Sequence, residues 1–500
     1  MLTPARLVIM SLLLMLSSFR AAEAAPLNIL LFTADDLNCD SLGVYGCKVP
    51  DITPHLDAFA AQGMRFNLAH VNVAICQPSR GVMATGRYSH RNGVTGFYQT
   101  KRDVPTIMET LREAGYRTGI LGKVGHSTPK ADYKWDFAFD QGMLGHGRSA
   151  KKYHDYSAEF FAQCKKEGKP FYFMVNSHDP HRPYHDPENP PYRNGEPSPS
   201  RIYQPAEVIV PGFLPDIQGV REEVAHYFNS VKRLDDTFGA VMKALKDAGL
   251  EDSTIVTFIT DNGVALPFAK CNVYFAATRT PWLVRWPGVV KPGSVDSEHF
   301  ISTIDFFPTV LDALGMKQLE GFDGRSIVPL LKGGKQDGRD MVFTQIDHKA
   351  GGAFVPMRCV QTAEFGYMFN AWSDGEYRYR NNNEGKTMKA MEEAAKTDKT
   401  IAARVELFRH RVPEEFFDMK TDADNMHNLV ADPKYAAEVA KLRAAMEAWM
   451  IRTGDPVHPA FKDRESPAKL KAFRNENPMR GDIPGGNDKG KGKNKSDDNE

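Results

Sequence analysis

Leu27-Asn28-Ile29-Leu30-Leu31-Phe32 is apolar at every position but one, and it runs out into Thr33-Ala34-Asp35-Asp36. A run this short and this apolar reads as a strand buried on both faces, the habit of parallel sheets. The arrangement recurs three times. Arg117 to Leu121 leads to Lys123 and His126; Phe171 to Asn176 leads to His178, Asp179, His181 and Arg182; Thr254 to Thr260 leads to Asp261-Asn262. Helix signals fall between these runs. Thr53-Pro54 supplies a capping hydroxyl and a first-turn proline, and Gly63 closes that helix. Pro105 to Ala114 is a second helix, and Val220 to Ala248 keeps helical periodicity up to Gly249. Strands alternating with helices from Leu27 to Leu314 predict an α/β domain, its large and mostly parallel sheet flanked by helices. In such sheets ligands bind beyond the carboxyl ends of the strands. If the four strands are parallel neighbours, their polar exits meet in one crevice.

Taken singly, each exit has an ordinary reading. An Asp-Asp pair caps a helix or makes a turn, Asp261-Asn262-Gly263 is a turn sequence, and a lysine such as Lys270 is usually solvated. Four such exits on one sheet edge are harder to assign to turns. Asp35, Asp36, Asp261 and Asn262 offer only hard oxygen ligands, which suits Ca²⁺, or less well Mg²⁺, and argues against zinc. Three carboxylates brought together repel unless a cation joins them. A fifth element, Cys76-Gln77-Pro78-Ser79-Arg80, precedes a segment of helical character from Gly81 to Thr85. A lone Cys-x-Pro would be a buried or disulfide-bonded cysteine before a helix.

Outward from these motifs, the 500 residues suit a large domain followed by a smaller one. Basic and acidic residues balance at 63 each, so nothing in the bulk charge supports nucleic-acid binding, and an anionic substrate must be met by a local basic site. Arg6, the apolar run Leu7 to Leu16 and the closing Ala22-Glu23-Ala24 form a signal peptide over residues 1–24, predicting an exported protein, periplasmic or secreted. That run is too short to span a bilayer, and no later stretch predicts a membrane span. Residues 25–335 read as the large domain, the one that carries these motifs. After about Gly333 the pattern changes: Met357 to Thr362 and Phe365 to Asn370 read as adjacent strands and Ala436 to Ile451 as a terminal helix, a smaller C-terminal α+β domain over residues 336–465. Pro183 to Pro215 reads as a long surface loop of the kind that shapes a substrate pocket. Residues 466–500 drift toward Gly, Lys, Asn and Asp and predict a disordered tail. Six cysteines are too few for a disulfide framework; Cys39 and Cys47 are near enough in sequence to pair, and setting Cys76 aside for chemistry leaves at least one further thiol free.

Cys76-Gln77-Pro78-Ser79-Arg80, its continuation Thr85-Gly86-Arg87 and its distance from Asp35-Asp36 resemble the type I sulfatases, whose Cys-x-Pro-Ser-Arg signature is oxidised to formylglycine. The likeness runs from Leu27 to about Pro433. It includes Pro54-His55-Leu56-Asp57 and the closing Phe417-Asp418, Asp424 and Asn428-Leu429. Within the family, His178-Asp179-Pro180-His181-Arg182, Pro356-Met357-Arg358 and Val360-Gln361 are most similar to the sulfamidase (heparan N-sulfatase) branch. Two positions depart from that branch: Lys270 stands where it has Arg, and His126 follows Lys123 by three residues where it has two. The resemblance implies an alkaline-phosphatase-like fold. It also implies calcium held by Asp35, Asp36, Asp261, Asn262 and the modified Cys76, with Arg80 and Lys123 supporting the formylglycine and His126, His181 and Lys270 around the sulfate. The implied hydrated aldehyde attacks sulfur with one hydroxyl and releases sulfate with the other, His181 serving as acid with Lys270 and His126 as base. Its partners would be a sulfated saccharide and the formylglycine-generating maturation enzyme. The alternatives are a phosphoester or phosphonate hydrolase of the same superfamily and a non-catalytic protein that binds sulfated glycans.

Overall fold

The computed structural model describes residues 26–192, 197–349, 352–381 and 384–477. The expected signal peptide lies outside the described residues. Eight strands form one sheet in the order Phe137–Phe139, Arg117–Leu121, Phe171–Asn176, Asn28–Ala34, Thr254–Thr260, Trp282–Arg285, Met64–Phe66, Ser294–Asp296. The four strands expected from the sequence are consecutive and mutually parallel. Trp282–Arg285 alone runs antiparallel to both of its neighbours, so the sheet is mixed and mostly parallel. The first strand is seven residues long and buried throughout, two residues longer at its end than the apolar run. Polar Thr33 is therefore a strand residue, and Asp35 follows the sheet directly.

Burial on both faces explains why the strands lack alternation. Leu30 and Phe32 face one core, with Phe173, Phe238 and Phe258. Ile29 and Leu31 face the other, with Ile120, Tyr172, Met174 and Phe307. The long Gln218–Asp247 helix packs with Ala150–Glu167 over the first face, where Phe32, Phe238 and Phe258 meet at ring distances of 5.2 to 5.8 Å. Pro183 to Pro215 carries no helix or strand among its described residues, yet Tyr184, Tyr203, Val208 and Phe213 are buried, so the loop is pinned to this layer.

A second, antiparallel sheet joins Met341–His348, Phe354–Thr362, Phe365–Asn370 and Glu414–Asp418, with the Ala436–Thr453 helix against it through Met446 and Trp449. The expected tail does not begin at Ser466: Pro467–Glu476 is a helix, capped by the Ser466 hydroxyl, with Leu470 buried. The rest of that tail, 478–500, lies outside the described residues. No helix among the described residues is long and apolar enough to cross a membrane.

Candidate active site

Because the four parallel strands end on one edge, their exits do meet. Asp35 and Asp36 follow the first strand, Asp36 with φ 65, and Asp261 follows Thr254–Thr260, its Oδ1 accepting the Asp36 amide at 3.2 Å. Gly122 and Lys123 after Arg117–Leu121 both take positive φ, 68 and 48. At Gly122 the choice of residue is forced, since a Cβ there would stand 2.2 Å from the Asn176 carbonyl oxygen. The tight reversal turns Lys123 back over the sheet edge, where its Nζ lies 2.9 Å from Asp35 Oδ2. His178 fixes the turn by accepting the Lys123 amide at Nε2, 3.2 Å away.

Cys76 is the first residue of a helix that runs to Thr85, starting five residues earlier than the helical character of the sequence suggests. Its Sγ is 3.5 Å from Asp35 Oδ1 and 3.1 Å from Lys270 Nζ. No disulfide joins any two of the six cysteines, Cys39 and Cys47 included. Burial, then the carboxylate of Asp35, pushes the Cys76 thiol well above its usual range, so the unmodified side chain is a poor nucleophile. One turn on, Arg80 is fully buried. It donates through Nε and Nη2 to Asp261 Oδ2 at 3.0 and 2.7 Å, and through Nη1 to Thr33 Oγ1 at 2.9 Å and Asn176 Oδ1 at 2.6 Å.

The three carboxylates are matched by three cations: Lys123 on Asp35, Arg80 on Asp261, and Lys270 Nζ on Asp36 Oδ1 at 2.5 Å. Charge repulsion therefore does not by itself demand a metal, contrary to the sequence argument. Unused oxygen does. Asp36 Oδ2 and Asn262 Oδ1 are buried without a hydrogen-bond donor, while Asn262 Nδ2 points at Asp36 Oδ1, 2.7 Å away. Ligand atoms of Asp35, Asp36, Cys76 and His181 lie within 4.8 Å of one another. The oxygens among these, with Asn262 Oδ1, fit a hard divalent cation. Asp261 is less open, since Arg80 and the Asp36 amide engage both of its oxygens. Burial raises its carboxyl, and Asp35 and Asp36 add to the rise against Arg80.

His181 is held from behind. Its carbonyl accepts both Arg148 Nη atoms at 3.2 Å, and the neighbouring Asp179 is clamped by Arg148 at 2.6 Å and Arg233 at 2.8 and 2.9 Å. Nδ1 of His181 donates to the Arg182 carbonyl at 2.5 Å, which leaves Nε2 bare and 3.8 Å from Asp36 Oδ2. Burial, then Lys270 and Lys123, holds the ring well below its usual pKa and hence neutral. His126 sits in a short helical turn with its ring edge-on to Phe97 at 5.3 Å; burial, then Lys123, brings it down to about 3. Its titratable neighbours are Lys123, Asp35, Arg80 and His181, which places it on the same crevice. All ten expected residues thus gather at one sheet edge. Four supporting residues were not assigned from the sequence: Thr33, Asn176 and Ser127, which accept from Arg80, the last at 3.3 Å, and His178, which accepts from Lys123. Thr33 and Asn176 left a signal, being polar ends of otherwise apolar strands.

The profile of the family described as Sulfatase matches residues 27–316, more than half of the chain. The chain belongs to the sulfatase family. In this sulfatase a second profile, N-sulphoglucosamine sulphohydrolase, C-terminal, covers residues 266–409. Human N-sulphoglucosamine sulphohydrolase is 30% identical over 474 residues, covering 87% of this chain and 92% of its own. An ulvan-active sulfatase of Formosa agariphila is 29% identical over 450 residues, covering 88% and 83%. A solved structure in complex with its substrate D-glucosamine-2-N,6-O-disulfate shares the fold, with a TM-score of 0.64 at 18% identity over 86% of this sulfatase and 99% of that chain.

Proposed function

We propose that this sulfatase is exported and removes sulfate from saccharides, as esters or sulfamates, using a formylglycine made from Cys76 and a calcium ion held by Asp35, Asp36, Asp261 and Asn262. One observation carries the reading: the unpaired Cys76 Sγ stands 3.1 Å from Lys270 Nζ and 3.5 Å from Asp35, at the head of a helix and beside buried oxygens that lack a donor. The named substrates of its relatives, N-sulphoglucosamine and ulvan, support a saccharide.

When present, the aldehyde hydrate and calcium supply an acidified hydroxyl and a positive centre for an anionic ester. The chain does the rest. Lys123 and Lys270 bring two ammonium groups to where sulfate must lie, and the amides opening the Cys76–Thr85 helix add further positive field. Arg80 spends its donors on Asp261, Thr33 and Asn176, so it fixes the strand ends around position 76. His181 faces the cluster with a bare Nε2 and is neutral in the resting site. It becomes a proton donor to the leaving oxygen or nitrogen only once charged, a change that an arriving sulfate anion favours by offsetting Lys270 and Lys123. His126 is neutral as well and is free to accept a proton at Nδ1, which has no partner.

The test is direct. Protein made together with a formylglycine-generating enzyme should show the aldehyde mass at the Cys76 peptide and release sulfate from N-sulfated or O-sulfated sugars. Cys76→Ala should keep the unfolding temperature and lose all turnover. Full activity in that variant refutes the mechanism, and faster cleavage of aryl phosphate than of aryl sulfate returns the phosphohydrolase alternative.

A further inference from the structure

The backbone at Lys270 and just after it is held from the C-terminal part of the chain. Asn381 Nδ2 donates to the Lys270 carbonyl at 3.1 Å and Tyr379 Oη to the Cys271 carbonyl at 2.8 Å. These anchors matter because Phe268 and Cys271 both sit at positive φ, 66 and 65, a region that side chains disfavour. The strip that carries Tyr379 and Asn381 therefore lies directly against the backbone of the lysine whose ammonium meets Cys76.

That strip also brings cations. Arg380, between the two anchors, is exposed. Lys349, at the end of the Met341–His348 strand, donates its ammonium to the Arg380 carbonyl and lies 5.7 Å over the Tyr379 ring. Its titratable neighbours are Cys271, Glu384 and Arg380. Glu384 is already spent: Arg409 holds both of its oxygens at 2.7 and 2.8 Å, and the Asn381 amide takes one at 2.7 Å. Lys349 is only partly exposed, and burial lowers its ammonium from the usual lysine value. A half-buried ammonium resting on a carbonyl and a ring face, with the one carboxylate facing it among the described residues engaged elsewhere, is costly unless an anion completes it.

We propose that Lys349 and Arg380 form a second anion subsite beside Lys270, receiving a further negative group on the substrate: a carboxylate or another sulfate on the saccharide being cleaved. This rests on the reading of the chain as a saccharide sulfatase and adds that its substrate carries two anionic groups.

The experiment uses the matured, calcium-loaded enzyme and its Lys349→Met, Lys349→Arg and Arg380→Gln variants. The substrates are N-sulfoglucosamine, its 6-sulfated form, an N-sulfated disaccharide bearing a uronate, the carboxyl-reduced form of that disaccharide, and 4-nitrophenyl sulfate. Lys349→Met and Arg380→Gln should each lower kcat/KM roughly tenfold, through KM, on substrates with a second anion. They should leave N-sulfoglucosamine and the aryl sulfate within about twofold, and Lys349→Arg should restore the difference. Sensitivity on the uronate disaccharide that is lost in its carboxyl-reduced form assigns the carboxylate; sensitivity confined to the 6-sulfated sugar assigns the sulfate. Equal losses on all substrates, or none on any, overturn the subsite while aryl sulfate turnover leaves the sulfatase standing. A matured enzyme that cleaves no sulfate at all overturns both.

Discussion

Arg80 reaches three strands from full burial, with both Asp261 contacts on one edge of its guanidinium and Thr33 and Asn176 on the other. Removing it leaves Asp261 as an uncompensated buried carboxylate. Arg80→Ala should therefore cost about 3–5 kcal/mol of stability, read from urea unfolding, and abolish sulfate release. His70 makes a different demand. It is fully buried between Phe275 and Phe300 with Nδ1 on Thr278 Oγ1 at 3.1 Å, and burial, then Arg279, brings it down to about 3. Its folded pKa lies below the free-chain value near 6.5, so its contribution is complete above that pH and is lost as the pH falls toward 3. Between pH 7 and 5 this group alone removes about 2 kcal/mol. His70→Gln should flatten that part of the stability profile in urea titrations at the two pH values. An unchanged slope would show that the ring is protonated in the native state.

The turns beyond the strands do the positioning, and Gly122 is the tightest of them. Gly122→Ala meets both a positive φ of 68 and the Asn176 carbonyl, whereas a Cβ on Gly125 three residues later meets nothing within 4 Å. Gly122→Ala should cost more than about 1–3 kcal/mol and draw Lys123 off Asp35, while Gly125→Ala should be nearly silent in unfolding temperature and kcat/KM. The four central strands were legible because strands buried on both faces are written as continuous apolar runs, and their polar exits mark the binding edge. Trp282–Arg285 and its short neighbours were not, since three or four residues carry no period. Pro467–Glu476 was missed because Leu470 is its one buried residue. The pairing of each site carboxylate with its own cation was also invisible: Lys270 and Asp36 are 234 residues apart, and only the folded sheet shows that they touch. Tyr379 and Asn381 lie in no pattern at all, and their role comes from where the second sheet packs.

Several parts of the chain lean on the same cluster, so the proposed calcium ion should be felt throughout. Chelation should lower the unfolding temperature as well as the activity, and calcium restored at a hundred times its dissociation constant should return about 2.7 kcal/mol. Differential scanning calorimetry with and without chelator checks this; no shift would mean that the orphaned oxygens of Asp36 and Asn262 are filled by water. Further from the site, Arg358 is buried between Asp347 at 2.7 Å and Asp455 at 2.6 and 2.8 Å, tying the second sheet to the end of the Ala436–Thr453 helix. The first strand to be synthesised is also the middle of the large sheet, and its later neighbour Thr254–Thr260 lies some 226 residues downstream. At ribosomal speeds of roughly 5–20 residues per second, about ten to fifty seconds separate the two. Such long-range parallel pairing is slow to nucleate. Cys76 belongs to that interval: until Thr254–Thr260 arrives, neither Asp261 nor Lys270 is present to enclose it. With the proposed oxidation of Cys76, translation itself would set the time during which the modifying enzyme can reach the thiol, and rare codons before residue 254 would lengthen it.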